Sequence, residues 1–292
     1  MISFIKDSIV SPVFRSEVSP GTWRFRFLLF FFRTLRLIPY VIFTQLWPYR
    51  KKIILKNFRT AFPHLCDNGR ESLLKSYYQH LSNLFVESFL FANTNKKDLG
   101  LLVKYKNLQV IDNLVQQKRE VILLASHLGN WEYLQALPLH MDVPVLAPYS
   151  PISNKSMDKL MLTLRKKHGA TLIPKQNWYK AILGRPANQP AIYIMIADQR
   201  PPSESKEKVL LYNELTSIQC GALRLAQKRG AAVVYAHVTK TGNNAYQFDF
   251  DILADKVTED TNLMQDYFTQ LEKNINLDPS LWLWSHDRWK FN

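Results

Sequence analysis

The chain has 292 residues, 47% of them hydrophobic and only nine of them glycine, which is enough to bury a large core and too little flexibility for a loose string of modules. Its net charge is +14, and 12 Lys/Arg against 3 Asp/Glu put +9 of that in residues 1–70, leaving +5 for the rest. Two distant cysteines, Cys66 and Cys220, have neither CxxC nor Cys/His spacing, so a disulfide framework and a metal site are both excluded and reduced thiols are expected.

Residues 1–19 read as mixed and turn-prone, ending at Ser19-Pro20-Gly21. Residues 22–47 predict a basic, apolar helix in which Arg24, Arg26, Arg33 and Arg36 interleave with Trp23, Phe25 and the run from Phe27 to Phe32. Such charge calls for an anionic partner, and the apolar neighbours favour lipid over nucleic acid, whose binding arms are more polar. A span needs about 20 mostly apolar residues. Arg33, Arg36 and Pro39 interrupt this stretch, and its charge-free run, Leu37 to Tyr49, is short. The expectation is a helix lying in the membrane interface, its arginines snorkelling to phosphates. No small-residue cleavage site comes after it, so a removable leader is not expected.

A short helix over 51–61, stopped by Pro63, and a long helix over 70–93 complete a helical region reaching about residue 100. The pattern then changes. Val121–Ala125 is a wholly apolar run that suits a strand covered on both faces. Next in the chain are helix-like residues 131–140, a strand at 143–147, a helix at 155–168, a strand at 171–173, a helix at 177–184 and a strand at 191–197. After a polar loop come a helix at 215–229, strands at 231–238 and 247–253, and a last helix at 258–276. This alternation predicts an α/β fold with a mainly parallel central sheet flanked by helices, plus an N-terminal helical membrane-associating extension. The division expected is an N-terminal region, 1–100, and an α/β core, 101–292, that forms one integrated domain. In such sheets ligands bind beyond the carboxyl ends of the strands, which directs attention to the residues just after Ala125, Ala147 and Ala197.

Directly after Ala125 the chain reads Ser-His-Leu-Gly-Asn-Trp-Glu. His127 falls at the strand end and Glu132 in the first helical turn, with Gly129 permitting a tight turn between them. A carboxylate meeting the imidazole across that turn would fix its tautomer and stabilise the imidazolium, making His127 a general base for an alcohol or amine. The neighbouring helix N-terminus offers N–H groups to a developing oxyanion. The five-residue spacing alone is weak; the strand-end setting strengthens it.

These residues and others in the same order resemble the lipid A biosynthesis acyltransferases, the lauroyl/myristoyl branch of the lysophospholipid acyltransferase-like superfamily. The His-x4-Glu segment is matched by His127 and Glu132. Asn57-Phe58-Arg59-Thr60-Ala61-Phe62-Pro63 looks like the family's segment after the N-terminal helix, and Glu87-Ser88 like its next helical marker. Tyr149-Ser150-Pro151 with Asn154, Arg165 and Gly169, then Ala197-Asp198-Gln199, Thr216 with Gly221, and Leu283 to Lys290 resemble later segments. The resemblance implies acyl transfer from an acyl carrier protein thioester, the donor co-substrate, to a hydroxyl of a lipid A precursor at the cytoplasmic face of the bacterial inner membrane. It implies His127 as base, Glu132 as its partner, and Gly129, Asn130, Arg165 and Asp198 as substrate-binding positions. Thr216 reads as a helix cap, and His286-Asp287-Arg288 as an anchor for the C-terminus with Trp282, Trp284 and Trp289 packed nearby. The expected partners are the carrier protein, the lipid acceptor and an anionic membrane surface, with no nucleic acid and no cofactor. Ser150 departs from the family's usual Arg, removing a bidentate phosphate contact. That leaves room for another lipid acceptor, an aminolipid or glycolipid. A non-catalytic membrane-binding protein of the same fold is the remaining alternative.

Overall fold

A computed structural model describes residues 21–151, 154–186 and 189–291 of the chain. The expectation for residues 1–19 lies outside them.

The N-terminal apolar stretch is helical throughout: α1 (Trp23–Leu35), α2 (Leu37–Val41) and a π-helical turn over Ile42–Leu46. Thr22 caps α1, its hydroxyl accepting from the Phe25 N–H at 3.3 Å. The break at Arg36 precedes Pro39, which has no N–H to offer the preceding turn. Taken together, Trp23–Leu46 is long and apolar enough to cross a membrane by length and composition, an 18-residue window within it having a mean hydropathy of 1.6. Counting charge-free runs hides this, because only two arginines, Arg33 and Arg36, interrupt the apolar residues from Phe27 to Phe43.

Helices α3 (Lys51–Ala61) and α4 (Asp67–Asn93) come next, and α1 and α2 pack along α4. The chain then enters a seven-stranded sheet. Its strands are β1 (Val103–Lys106), β2 (Val121–Ala125), β3 (Val145–Tyr149), β4 (Thr171–Pro174), β5 (Ile192–Ile196), β8 (Ala232–Gly242) and β9 (Ala245–Ala254), in the order β1-β9-β8-β2-β5-β3-β4. Every pairing is parallel except β8 with β9, which form a hairpin. Helices α5 (Leu108–Gln116), α6 (Lys155–Lys166), α7 (Trp178–Leu183), α8 (Gly221–Arg229) and α9 (Leu263–Leu277) make the connections and flanks. The fold is the expected α/β arrangement. Strand β2 lies at its centre, all five residues buried, and this is why its sequence is an unbroken apolar run. One buried cluster runs from Phe25 to Trp289.

Several elements differ from the sequence reading. Strand β1 and helix α5 occupy residues that carry too short an alternation to announce themselves. The segment after β2 is a 3-10 helix over Trp131–Leu139 carrying Pro138, tighter than the α-helix its length suggests. The expected helix from Leu215 begins only at Gly221. Before it, β6 (Lys208–Leu211) and β7 (Glu214–Ser217) form an antiparallel hairpin. Its two turn residues, Tyr212 and Asn213, both take positive φ, 55° and 59°, as a type I′ turn requires. Tyr-Asn is not the usual Asn-Gly pair, so the turn is silent in the sequence. Thr216 is therefore a strand residue, not a helix cap: its hydroxyl donates to the Arg288 carbonyl at 3.2 Å.

Candidate active site

Two parallel strands build the site. In the β2–β5 register Ala125 lies opposite Ile196, so the residues two places further, His127 and Asp198, leave adjacent strands at matching heights. The His127 ring and the Asp198 carboxylate meet there, Nδ1 to Oδ1 at 2.7 Å. A buried carboxylate is acceptor-only when ionised, so Nδ1 carries the proton and Nε2 holds the free lone pair. The His127 backbone N–H donates to Asp198 Oδ2 at 3.0 Å, and the Trp282 indole N–H donates to the same oxygen at 2.8 Å. Burial alone pushes the Asp198 carboxyl up. The adjacent His127 and the hydrogen bonds from His127 and Trp282 outweigh it and hold the group below its ordinary value. Asp198 is 2% exposed, whereas the His127 side chain is 19% exposed and stacks edge-on with Trp131, ring centroids 4.7 Å apart.

The expected contact between His127 and Glu132 across the turn does not form. Glu132 is turned instead to Arg165, which donates Nε to Oε2 at 3.1 Å and Nη2 to Oε1 at 2.5 Å, and it also accepts from Gln135. The reason is geometric: Asp198 arrives in register on the neighbouring strand, while Glu132 starts a helix that points its side chain towards α6. Arg165 is thus the partner of Glu132.

The turn between them is fixed from below. Gly129 takes φ +58°, and a Cβ there would lie 3.1 Å from Tyr246 and Val238, so the position has room for glycine alone. The Gly129 N–H donates to the Leu281 carbonyl and the Leu283 N–H to that of His127, so the C-terminal segment pairs with the turn like a short strand. Asn130 is buried. Its Oδ1 accepts from the Glu132 N–H at 3.2 Å, and its amide donates to Glu87 Oε2 at 2.9 Å. Glu87, fully buried in α4, also accepts from Asn244 at 3.2 Å and Tyr246 at 3.3 Å. Its carboxyl is pushed up to about 7 by burial, which prevails over the hydrogen bonds of Asn130, Tyr246 and Asn244. Asn130 is thus a keystone of the turn.

Sequence reasoning assigned no role to Trp282 and used Glu87 only as a marker. The one available signal for Trp282 was its company in the aromatic C-terminus. The other expected anchors hold: the Arg288 guanidinium donates to the Ser217 carbonyl at 2.9 Å, and His286 Nε2 accepts the Arg200 N–H at 3.1 Å.

A histidine–carboxylate pair at the carboxyl end of a parallel strand, in a sheet flanked by helices and preceded by an exposed apolar helix, defines the class of protein. Residues 19–291 match the family model described as bacterial lipid A biosynthesis acyltransferase. The chain belongs to that family, and its activity is acyl transfer in lipid A biosynthesis. Comparison with curated proteins finds no significant match.

Proposed function

We propose that the chain moves a fatty acyl group from an acyl carrier protein thioester to a hydroxyl of a lipid A precursor at the cytoplasmic face of the inner membrane, with His127 as the general base. The observation that carries this is the 2.7 Å bond from His127 Nδ1 to buried Asp198, because it holds the ring proton on Nδ1 and leaves the Nε2 lone pair to act as the base. The acceptor O–H bond breaks as its proton passes to Nε2, and the oxygen forms a new bond to the thioester carbon. The C–S bond then breaks and the departing thiolate takes the proton from Nε2. Asp198 stabilises the transient imidazolium. The N–H groups of His127, Gly129 and Glu132 are already bonded, so the oxyanion is assigned to the remaining backbone donors of the turn. The Glu132 carboxylate holds the Arg165 guanidinium in an ion pair, and that guanidinium is the group assigned to an anionic acceptor.

The test is transfer of a labelled acyl chain by purified protein. Removing a general base typically costs about 10²–10⁴-fold in rate, so His127→Ala should fall by that range with its fold and thermal stability retained. Undiminished transfer by a folded His127→Ala variant would remove the histidine from the reaction.

A further inference from the structure

The charge count points to residues 1–70 as the basic region, but a second group of exposed cations lies elsewhere. Lys96, Lys97, Lys104 and Lys106 line one cleft along the outer edge of β1, together with His140 and Gln247, and no carboxylate lines it. All four lysines are exposed, and the lysines that do form ion pairs among the described residues lie elsewhere in the chain. The acid nearest in sequence, Asp98, is buried and already committed. It accepts the Thr22 N–H at 3.1 Å and the Thr22 hydroxyl at 2.7 Å.

That second contact ties the cleft to the apolar helix. Thr22 caps α1, so the Asp98 bonds put the first turn of α1 beside Lys96 and Lys97. Leu101 of the same loop lies against Gly21. From that foot, α1 presents Trp23, Phe27 and Phe30 to the outside, at 81%, 62% and 72% exposure. Arg24, in the same turn, is a repelling neighbour of Lys167. Cations therefore border an apolar surface on one side of the molecule. A carrier protein needs only the cations; an anionic bilayer uses both, its acyl region meeting the aromatic face and its phosphates the lysines.

We propose that the cleft formed by Lys96, Lys97, Lys104 and Lys106 binds phosphate-bearing lipid headgroups and, with the apolar face of α1, sets how the protein sits on the membrane. This rests on the reading above in placing the chain at a lipid surface. Its readout is binding, so either can fail while the other stands.

The experiment compares full-chain proteins by co-sedimentation with phosphatidylcholine vesicles and with vesicles also containing phosphatidylglycerol. One variant carries Lys96→Gln, Lys97→Gln, Lys104→Gln and Lys106→Gln. A second removes the same charge from exposed lysines elsewhere: Lys118→Gln, Lys228→Gln, Lys256→Gln and Lys273→Gln. A lysine near an anionic surface is worth roughly fivefold in partition, so the cleft variant should lose about 10²-fold or more on phosphatidylglycerol vesicles and little on phosphatidylcholine. The control should lose far less. Equal losses in the two variants would reduce the effect to net charge and overturn the proposal. So would unchanged vesicle binding with weakened binding of acyl carrier protein, which would give the cleft to an acidic protein. Vesicle binding unchanged in the cleft variant, with binding of soluble glycerol phosphate lost, would reassign the cleft to a free phosphate ligand.

Discussion

At the scale of single residues the candidate site divides into the His127–Asp198 pair, to which we assign the chemistry, and a buried set that holds the pair. Asp198→Asn keeps the shape of the side chain but offers its amide where Nδ1–H needs an acceptor, so the imidazole can take the other tautomer and lose its lone pair at Nε2. Acyl transfer should drop about 10²–10⁴-fold in kcat, with little change in KM, measured as initial rates over a range of acceptor. Trp282→Phe removes one of three hydrogen bonds to the same carboxylate and should cost about 10- to 10²-fold, since a hydrogen bond to a charged group is worth about 1.5–3 kcal/mol. A Trp282→Phe variant as impaired as Asp198→Asn would mean that the indole does more than hold the carboxylate.

Glu87 gives the pH prediction at this scale. Its carboxyl is pushed up to about 7 in the fold, against an ordinary value of 4.5. The folded state therefore binds the proton more tightly than the unfolded state. The stability this group contributes is complete below about pH 4.5, falls as pH rises towards about 7, and is flat above. Linkage puts the total change at roughly 3 kcal/mol. Glu87→Gln cannot titrate, and its amide N–H₂ would face a donor, Asn130 or Asn244, where the carboxylate accepts from both. Urea unfolding at a series of pH values should show the stability of the parent relative to the variant falling by roughly 3 kcal/mol as pH rises across that window, and constant above it. Parallel profiles would exclude Glu87 as the titrating group.

At the scale of elements, what matters is how strands and helices are locked around β2. At the amino end of β2, buried Glu120 accepts both Nε and Nη2 of Arg229 at the end of α8, each at 2.6 Å, and the Tyr193 hydroxyl of β5 at 2.5 Å. One carboxylate so ties three elements together at the end of the sheet opposite the site. Arg229→Met strands Glu120 in the core and should cost about 3–5 kcal/mol in chemical denaturation. The double variant Arg229→Met with Glu120→Gln should recover a large part of that loss, because no charge is then left buried. The β6–β7 hairpin is a different kind of element. Tyr212 holds a left-handed conformation there, and its backbone N–H donates to Glu272 of α9 at 2.7 Å. Its ring packs on Phe62, Trp284 and Trp289, so tertiary contacts support a turn that its two residues would not favour alone.

At the scale of the whole molecule, the N-terminal helices leave a broad aromatic and aliphatic surface uncovered, with Trp23, Phe27, Phe30, Leu46 and Trp47 all more than half exposed. Single exposed apolar side chains are ordinary, but a contiguous stripe of them marks a surface meant for an apolar medium. Burying one Phe side chain is worth about 1.5–3 kcal/mol, so Phe27→Ser with Phe30→Ser should weaken vesicle partition at least tenfold. Unlike the loss from the lysine cleft, this one should persist at high salt, because apolar burial is not screened. A loss that vanished in salt would argue that these rings do not enter the bilayer.

The apolar run of Val121–Ala125 determined by itself that a strand would be covered on both faces, and it put His127 at that strand's end. Helical spacing determined α3 and α4, and the basic aromatic stretch determined a helix with an exposed apolar face. These are local patterns, set by periodicity and composition over a few turns. Which carboxylate reaches His127 was decided only by the tertiary structure. Glu132 is five residues away and Asp198 seventy-one, yet β2 and β5 pair side by side in register, and that pairing delivers Asp198 to the imidazole while the helix after Asn130 carries Glu132 to Arg165. The same holds for Trp282 on Asp198, for Glu87 beneath Asn130, and for the lysine cleft at the foot of α1. Each brings together residues whose sequence spacing carries no period, because sheet order and helix packing, not the local chain, set the distance between them.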